Sequence, residues 1–188
     1  MNGRIQRYTK SGLPVLFWNM KPRAYVRDEG LEEKFEGLVE ACKGYSHNET
    51  YGLVVESRDE TVRPAFTAAL FKYLMALNER QGHWRTFSYI VDLLRSTKFH
   101  QQLWETFLDD VTKPARQIVA IEGMSAKRMA LLEADELLRL TDMFQRFFQN
   151  GCLVIVSTPD NQDRFEKMLG EDLAQLMSDN LGTWGKLE

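Results

Sequence analysis

The sequence predicts an α/β protein in which helices cover both faces of a mainly parallel sheet of about four or five strands, giving three layers. Short apolar runs, typical of strands buried on both faces, alternate with longer stretches of helical periodicity. This alternation indicates βαβ units, whose strands run parallel. No repeat, low-complexity tract or Pro/Gly/Ser-rich linker divides the chain. We therefore expect residues 1–30 to form an N-terminal arm and residues 31–188 to form one domain.

The first part of the chain supplies one strand and two helices. Residues 1–30 show no clean period and mix aromatic with basic side chains, so we expect an irregular arm that packs on the body or, alternatively, contacts a partner. Helical spacing begins at Leu31 and stops at Gly44, where a polar loop follows. Residues 52–55 (GLVV) then predict a buried strand, and Pro64 begins the next helix.

The second part supplies three more strands. They are residues 85–90 (RTFSYI), 118–121 (IVAI) and 152–156 (CLVIV). Helical spacing covers residues 91–111, with a break near 97–100, and residues 127–149, which end at Asn150-Gly151. Short helical pieces follow the last strand. The tail GTWGKLE is polar apart from Trp184 and Leu187, and no fifth strand is evident after the last helices.

The composition is that of an ordinary globular protein and excludes several function classes. Hydrophobic residues make up 44%, charged residues 27%, and the net charge is −3, which excludes a strongly basic, histone-like binding of nucleic acid. Cys42 and Cys152 lack metal-ligand spacing, and the histidines (His47, His83 and His100) are scattered, so no metal site is expected. No apolar run approaches a membrane span, and no apolar signal segment opens the sequence. We expect a cytoplasmic protein that needs neither disulfide nor metal.

Three stretches carry a resemblance to a known family: YGLVVESRDETVRPAFTAALFKYL, RQIVAIEGMS and NGCLVIVSTPDNQDRF. Their order, over residues 31–180, resembles the core of the AAA+ ATPases, and most closely the bacterial helicase loaders of the DnaC and DnaI type and their transposition relatives of the IstB type. The resemblance implies a P-loop-NTPase-like sheet with the strand 52–55 in the middle. The strand 152–156 would lie beside it, 118–121 would come next, and 85–90 would form the edge.

The motif that binds nucleotide phosphates in this family is degraded here. It requires G-x-x-x-x-G-K-[ST], whose backbone N–H groups surround the phosphates while the Lys contacts them and the hydroxyl holds Mg²⁺. In the matching segment SRDETVRP, the vestigial positions are Ser57 and Val62 for the glycines, Arg63 for the Lys and Pro64 for the hydroxyl residue. Val62 resists positive φ, and Pro64 has neither a hydroxyl nor an N–H. Asp59 and Glu60 add negative charge where a polyphosphate would lie.

The other catalytic positions that the resemblance implies have changed as well. Glu122 stands where the family places paired acids for Mg²⁺ and water activation, but Gly123 follows it. The strand that should end in a γ-phosphate sensor, commonly Asn, ends in Ser157 and Thr158. The segment GEDLAQLM contains no Arg, although the family's late arginines should fall there. Together these changes predict that ATP hydrolysis has been lost, and we expect no cofactor.

The resemblance then implies a protein that acts by contact. We expect a pseudo-ATPase, a non-enzymatic AAA+-like protein that binds other proteins in a DNA replication or transposition assembly. Its partner would be another AAA+ subunit or a ring-shaped replicative helicase, with this chain as subunit or regulator of a helicase loader or ring. The loaders' N-terminal helicase-binding domain has no counterpart in the sequence, which argues against direct helicase loading. DNA contact and self-association stay open, and no membrane partner is expected.

Two enzymatic alternatives use the cleft at the carboxyl ends of the strands, where open parallel sheets bind ligands. One is a weak ATPase in which Arg63 replaces the Lys and Glu122 holds the metal. The other is an enzyme of different chemistry, for which no G-x-S-x-G motif or His cluster is present. The side chains available to it are Glu56, Arg58, Asp59, Arg63, Glu122 and Ser157.

A third alternative is nucleic-acid binding by the basic N-terminal arm. Basic side chains interleaved with aromatic ones suit single strands, because they contact phosphates while the rings stack on bases. The simpler interpretation is that the arm docks on an acidic partner or on its own domain. The candidate contacts are Arg4, Arg7, Lys10, Trp18, Lys21 and Arg23.

Overall fold

The computed structural model describes residues 3–43, 52–96 and 101–187, which form a sheet of five strands between two layers of helices. The strands are β1 (Gly52–Glu56), β2 (Gly82–Thr86), β3 (Ile118–Glu122), β4 (Leu153–Thr158) and β5 (Leu181–Lys186). The helices are α1 (Gly3–Ser11), α2 (Pro22–Asp28), α3 (Glu32–Lys43), α4 (Val62–Leu77), α5 (Phe87–Ser96), α6 (Gln101–Thr112), α7 (Ala126–Met129), α8 (Ala134–Gln149), α9 (Gln162–Leu169) and α10 (Glu171–Asn180). The expected helix end at Gly44, the loop after it and the break near 97–100 lie outside the described residues.

The strands all run parallel, in the spatial order β2-β3-β4-β1-β5. The expected order of the first four, with β1 beside β4, then β3, then β2 at the edge, is confirmed. Both β1 and β4 are buried along their whole length. Successive side chains of a strand point to opposite faces, so a strand covered on both faces is apolar at every position. That requirement explains the uninterrupted runs GLVV and LVIV.

Each face of the sheet has its own hydrophobic core, which confirms the three-layer α/β architecture. On one face, Val54 packs with helices α5, α6, α8, α9 and α10, and the fully buried rings of Phe87 and Phe144 lie there. On the other face, Leu53 and Val55 pack with α3, α4 and part of the N-terminal arm. Each large apolar side chain buried in this way contributes roughly 1.5–3 kcal/mol. Among the described helices, none is both long and apolar enough to cross a membrane.

The second strand along the chain lies earlier than expected. The prediction of a strand over residues 85–90 is wrong, because β2 covers Gly82–Thr86 and α5 begins at Phe87. The helical spacing of the apolar residues in this segment outweighs the β-forming composition of RTFSYI. The buried residues of α5 are Phe87, Ile90, Val91 and Leu94.

The expectation that the tail contains no strand is also wrong, since β5 pairs with β1. The segment LGTWGK has no apolar run, and its position depends on contacts made by Trp184 and Gly185. The Trp184 ring centroid lies 5.3 Å from that of Phe165, and the two rings are nearly perpendicular. A Cβ on Gly185 would lie 2.7 Å from a methyl of Leu38, so only glycine lets α3 approach the strand this closely.

Two helix boundaries differ from those expected. The predicted helix over residues 127–149 is divided into α7 and α8, because Glu133 and Glu136 form a capping box that begins α8. Helix α4 begins at Val62 rather than at Pro64. The proline still lies in the first turn, where its missing N–H removes no helical hydrogen bond.

The N-terminal arm is largely helical, contrary to the irregular structure expected for it. It consists of α1, a single 3₁₀ turn at Val15–Phe17 and α2. The expectation that it packs on the body is confirmed, because Leu13, Phe17 and Val26 are buried in the same core as α4. The division of the chain at residue 30 stays a prediction.

A buried lysine on α4 ties the arm to the domain. The Lys72 ammonium donates hydrogen bonds to the carbonyl oxygens of Phe17 at 2.8 Å and Trp18 at 3.0 Å, and to that of Met20. The same nitrogen lies 4.8 Å from the centre of the Tyr8 ring, within range of a cation–π interaction. Since a buried ammonium needs such partners, Lys72 fixes the position of the arm backbone.

Replacing Lys72 with methionine should therefore destabilise the protein. Lys72→Met leaves buried carbonyl oxygens of the arm without their donor, at an expected cost of about 2 kcal/mol in the free energy of unfolding. Urea unfolding of the wild type and the variant measures this difference. Lys10→Met is the control, because Lys10 is exposed and its replacement should change stability little. Equal stabilities of the two variants would contradict the role assigned to Lys72.

Candidate functional site

The carboxyl ends of β2, β3 and β4 and the first turn of α4 surround a cleft of about 610 Å³. A cleft of this size, at this edge of a parallel sheet, is typical of a ligand site. Of the positions that the sequence singled out, the cleft brings Arg63 and Glu122 together. Its charged lining residues are Glu60, Arg63, Glu122, Lys127, Arg128, Asp160 and Arg164.

In the turn between β1 and α4, side chains of the turn accept hydrogen bonds from its own backbone. Oδ1 of Asp59 accepts hydrogen bonds from the backbone N–H groups of Thr61 at 2.7 Å and Val62 at 2.8 Å. The hydroxyl oxygen of Ser57 accepts a hydrogen bond from the N–H of Asp59 at 3.1 Å. The amides at the start of α4 are the donors that an anion would use at a helix N-terminus. Here a carboxylate of the same chain occupies two of them.

These hydrogen bonds also fix the charge of Asp59. The N–H groups of Val62 and, next, Thr61 lower the pKa of the Asp59 carboxyl below its usual range, since they stabilise the ionised form. Asp59 is therefore a carboxylate at neutral pH, at the positive end of the α4 dipole. The segment that would cradle phosphates in a P-loop thus carries a fixed negative charge.

Arg63, the residue expected to correspond to the P-loop lysine, is directed back into the protein. Its side chain is only 9% exposed. Nη1 donates to the carbonyl oxygen of Ser57 at 2.9 Å, and Nη2 contacts Oε1 of Glu122 at 3.4 Å. Nε finds no hydrogen-bond partner among the described residues. Arg63 therefore links the turn after β1 to the end of β3, and it neutralises Glu122.

The vestigial sensor residues, Ser157 and Thr158, are fully buried and hydrogen-bonded to backbone. The Ser157 hydroxyl oxygen accepts from the N–H of Gly123 at 3.1 Å, which connects the ends of β4 and β3. The Thr158 hydroxyl oxygen accepts from the N–H of Asp160 at 3.1 Å and shapes the turn that follows. Both side chains therefore stabilise the backbone at the carboxyl ends of β3 and β4.

Asp160 is a residue of the cleft that sequence reasoning missed. Oδ2 accepts a hydrogen bond from the N–H of Ala126 at 2.7 Å, and Oδ1 pairs with Nε of Arg164 at 3.1 Å. The carboxylate thus joins the loop after β4 to the start of α7, 34 residues earlier. The Pro-Asp pair directly after a strand was the signal available, since such residues favour turns.

The other residues proposed for an enzymatic cleft are not gathered into one site. Glu56 is held by the final strand: its Oε2 accepts from Nε1 of Trp184 at 2.7 Å, and Lys186 lies 3.9 Å from Oε1. Arg58 is exposed on the turn beside Asp59. Of the six side chains, Arg63 and Glu122 line the cleft.

The basic residues of the N-terminal arm are spread over more than one surface. Arg7 and Lys10 are exposed on α1 and line a second cavity of about 320 Å³ with Glu79 and His83. Lys21 is exposed at the start of α2. Arg4 lies in α1, but its side chain is outside the described set.

The aromatic members of the arm are engaged in packing. Nε1 of Trp18 donates to the carbonyl oxygen of Leu13 at 2.8 Å. Arg23 pairs with Glu36 at 3.0 Å and donates to the Tyr73 hydroxyl at 3.0 Å. The interleaved rings therefore contact the protein's own side chains and backbone rather than forming one stacking platform.

Within the described ranges, no group of three or more His, Cys, Asp or Glu side chains is arranged to hold a metal ion. His83 is buried against Gln117, and burial lowers the pKa of its imidazole. His47 and His100 lie outside the described residues. Burial raises the pKa of the Cys42 thiol to about 12 and that of Cys152 to about 11, so both are inert thiols at neutral pH.

Comparison with known proteins identifies the fold. No family model matches the sequence, and no curated protein matches it. Among solved structures, domain III of the Thermotoga maritima replication initiation protein DnaA superposes with a TM-score of 0.57 at 16% identity, covering 82% of this chain and 60% of that one. The DnaA domain and the structure described next, C. elegans PCH-2, are both AAA+ ATPases. The chain has an AAA+-like fold.

The second of these structures, C. elegans PCH-2, has a TM-score of 0.54 at 7% identity. The match covers 84% of this chain and 42% of that one. At these identities the likeness concerns the fold.

Removing the carboxylate of Asp59 should destabilise the start of α4 in a pH-dependent way. Asp59→Ala should lower the thermal unfolding midpoint at pH 7, because the N–H groups of Thr61 and Val62 lose their acceptor. The folded-state pKa of Asp59 is depressed, so its contribution is present above the unfolded-state value of about 3.9 and is lost as the pH falls through the folded-state pKa. Calorimetric scans from neutral to acidic pH should show the gap between wild type and variant closing.

Two variants control this experiment. Asp59→Asn keeps an acceptor oxygen and should lose less stability, without the same pH dependence. Glu60→Ala removes the neighbouring exposed carboxylate and should leave the midpoint nearly unchanged. A constant gap between wild type and Asp59→Ala at all pH values would contradict the capping role.

Proposed function

We propose that this chain is a non-catalytic AAA+-like protein, a pseudo-ATPase, that acts by contact with other proteins in a DNA replication or transposition assembly. The observation that carries the proposal is the hydrogen bonding of Asp59 to the first amides of α4. In an ATPase of this fold those amides bind phosphate, and here an internal carboxylate already satisfies two of them.

Electrostatics supports the loss of nucleotide binding. A phosphate chain that approached the start of α4 would meet the ionised Asp59 and the neighbouring Glu60. The cation that should compensate, Arg63, is held by the Ser57 carbonyl and by Glu122. Reaching a phosphate would break these bonds and leave Glu122 without its partner, which is costly for a largely buried pair.

The residues at the carboxyl ends of β3 and β4 support the proposed loss of catalysis. Water activation in this fold uses a second acid after the first, and Gly123 occupies that position. Glu122 itself is paired with Arg63, and the hydroxyls of Ser157 and Thr158 are engaged with backbone N–H groups. The side chains at the family's expected catalytic positions are thus engaged within the protein.

The replication or transposition setting rests on two likenesses. The order of strands and helices resembles that of bacterial helicase loaders, and one of the solved structures with the same fold is a domain of a replication initiation protein. A partner with its own AAA+ core or a ring-shaped helicase fits this setting. The chain would serve there as a structural or regulatory member.

Titration with Mg-ATP tests the absence of nucleotide binding. Isothermal calorimetry of the wild type should give no saturable heat up to about 1 mM ATP, because the phosphate site is closed. Phosphate release assays on the same sample should stay at the level of the buffer. Saturable binding near 10 µM (roughly −7 kcal/mol) that disappears in Arg63→Ala but persists in the control Lys21→Ala would overturn the proposal.

Affinity capture from the native host tests the contact function. The tagged chain should retain an AAA+ protein or a ring helicase, and nuclease treatment of the extract should leave that capture unchanged. Capture that nuclease abolishes would instead support the alternative in which the N-terminal arm binds nucleic acid. Capture of no protein of these two classes would contradict the proposed partners.

A further inference from the structure

Some of the charged side chains that line the cleft are paired with each other, and others are not. Two of the three lining carboxylates are paired with cations of the same lining: Glu122 with Arg63 at 3.4 Å, and Asp160 with Arg164 at 3.1 Å. Asp160 also accepts the N–H of Ala126. These ion pairs leave little charge of Glu122 or Asp160 for a ligand.

The part of the lining that α7 forms carries cations with no such compensation. Lys127 and Arg128 are consecutive, exposed and part of the cleft lining. Across the described part of the chain neither of them forms an ion pair. The remaining lining carboxylate, Glu60, is exposed on the turn before α4. The cleft therefore has a positive rim on the α7 side.

An apolar side chain lies next to this rim. Leu131 follows α7, lines the same cleft and is 54% exposed. Its position is fixed, because its carbonyl oxygen accepts a hydrogen bond from Nη2 of Arg95 at 2.9 Å. Hydroxyls of Ser88 and Ser125 complete this side of the lining. The cleft lining thus combines the cations of α7, an exposed leucine and hydrogen-bonding hydroxyls.

We propose that the cleft binds an acidic segment of a partner protein, whose carboxylates pair with Lys127 and Arg128 while an apolar side chain covers Leu131. The inference rests on the proposed function, since a nucleotide in the cleft would exclude the segment. A carboxylate–cation contact at a partly enclosed rim is favoured over one in open solvent, because low surrounding dielectric strengthens it. The exposed Leu131 adds an apolar contact, which a purely electrostatic site would not contain.

A peptide fits this surface better than a polyphosphate or a nucleic acid. Phosphates are spaced along a continuous chain, and a strand crossing the cleft would meet Glu60 and the ion-paired carboxylates of Glu122 and Asp160. Carboxylates on a peptide are separated by other side chains, so they can pair with Lys127 and Arg128 without approaching the carboxylates of Glu122 and Asp160. A phosphate backbone offers no apolar group that could cover Leu131.

Fluorescence polarisation with a labelled peptide tests the inference. The probe is a fluorescein-labelled peptide of glutamates around a central leucine, and a peptide with lysines in place of the glutamates is the negative probe. The wild type should bind the acidic probe and not the basic one, with an affinity that falls as salt is raised. The double variant Lys127→Glu/Arg128→Glu should weaken binding by about tenfold or more, and Leu131→Ser should weaken it severalfold.

A matched charge reversal elsewhere controls for net charge. Arg7→Glu/Lys21→Glu makes the same change on the exposed arm, away from the cleft, and should leave binding of the acidic probe unchanged. Circular dichroism and thermal unfolding should show that both double variants keep the fold. Unchanged binding in Lys127→Glu/Arg128→Glu, or equal losses in the two double variants, would overturn the inference.

Parallel measurements separate this inference from the proposed function. A labelled single-stranded oligonucleotide that binds more tightly than the acidic peptide and depends on Lys127 and Arg128 would overturn the choice of a protein segment. Absence of peptide binding, with no Mg-ATP binding either, would overturn the inference and leave the proposed function standing. Mg-ATP binding that requires Arg63 would overturn the proposed function whatever the peptide does.

Discussion

The rest of the structure depends on the burial of β1, which is covered on both faces and paired with β4 and β5 on its two sides. A strand in this position has no access to water, and the turn that follows it makes several of its hydrogen bonds within the protein. Ser57, Asp59 and Arg63 do this with hydrogen bonds inside the turn. The start of α4, and with it the shape of the cleft, follows from that local closure.

The hydrogen bonds within this turn are also the basis of the proposed function. A phosphate-binding loop leaves its amides open for a ligand, whereas this turn uses them to bind its own carboxylate. Arg63, the expected counterpart of the P-loop lysine, links β1 and β3. Under the proposed function, groups that an ATPase keeps available for nucleotide belong to the framework. Among the described residues, the cleft cations that form no ion pair are Lys127 and Arg128.

The N-terminal arm shows how a charged residue takes part in a core. Aromatic and aliphatic side chains of the arm close one face of the sheet, and the ammonium of Lys72 holds the backbone of the arm in place. A lysine between apolar neighbours on α4 gives no sign of this in the sequence, because its partners are carbonyl oxygens more than 50 residues away. The rings that suggested a stacking surface are used here for packing.

The sequence by itself predicted the apolar strands β1, β3 and β4 and the departure of SRDETVRP from the phosphate-binding motif, because runs such as IVAI and the residues of that segment are local properties of the chain. The order of the strands was expected from the resemblance to the AAA+ ATPases. Tertiary structure alone decided the placement of β5, the helical arm, and the contacts of Glu122 with Arg63 and of Asp160 with Ala126. The fifth strand has no apolar run and exists because Trp184 and Gly185 fit against neighbours distant in the chain. Such long-range fits leave no periodic signal, since each depends on the shape of a surface that forms only in the folded protein.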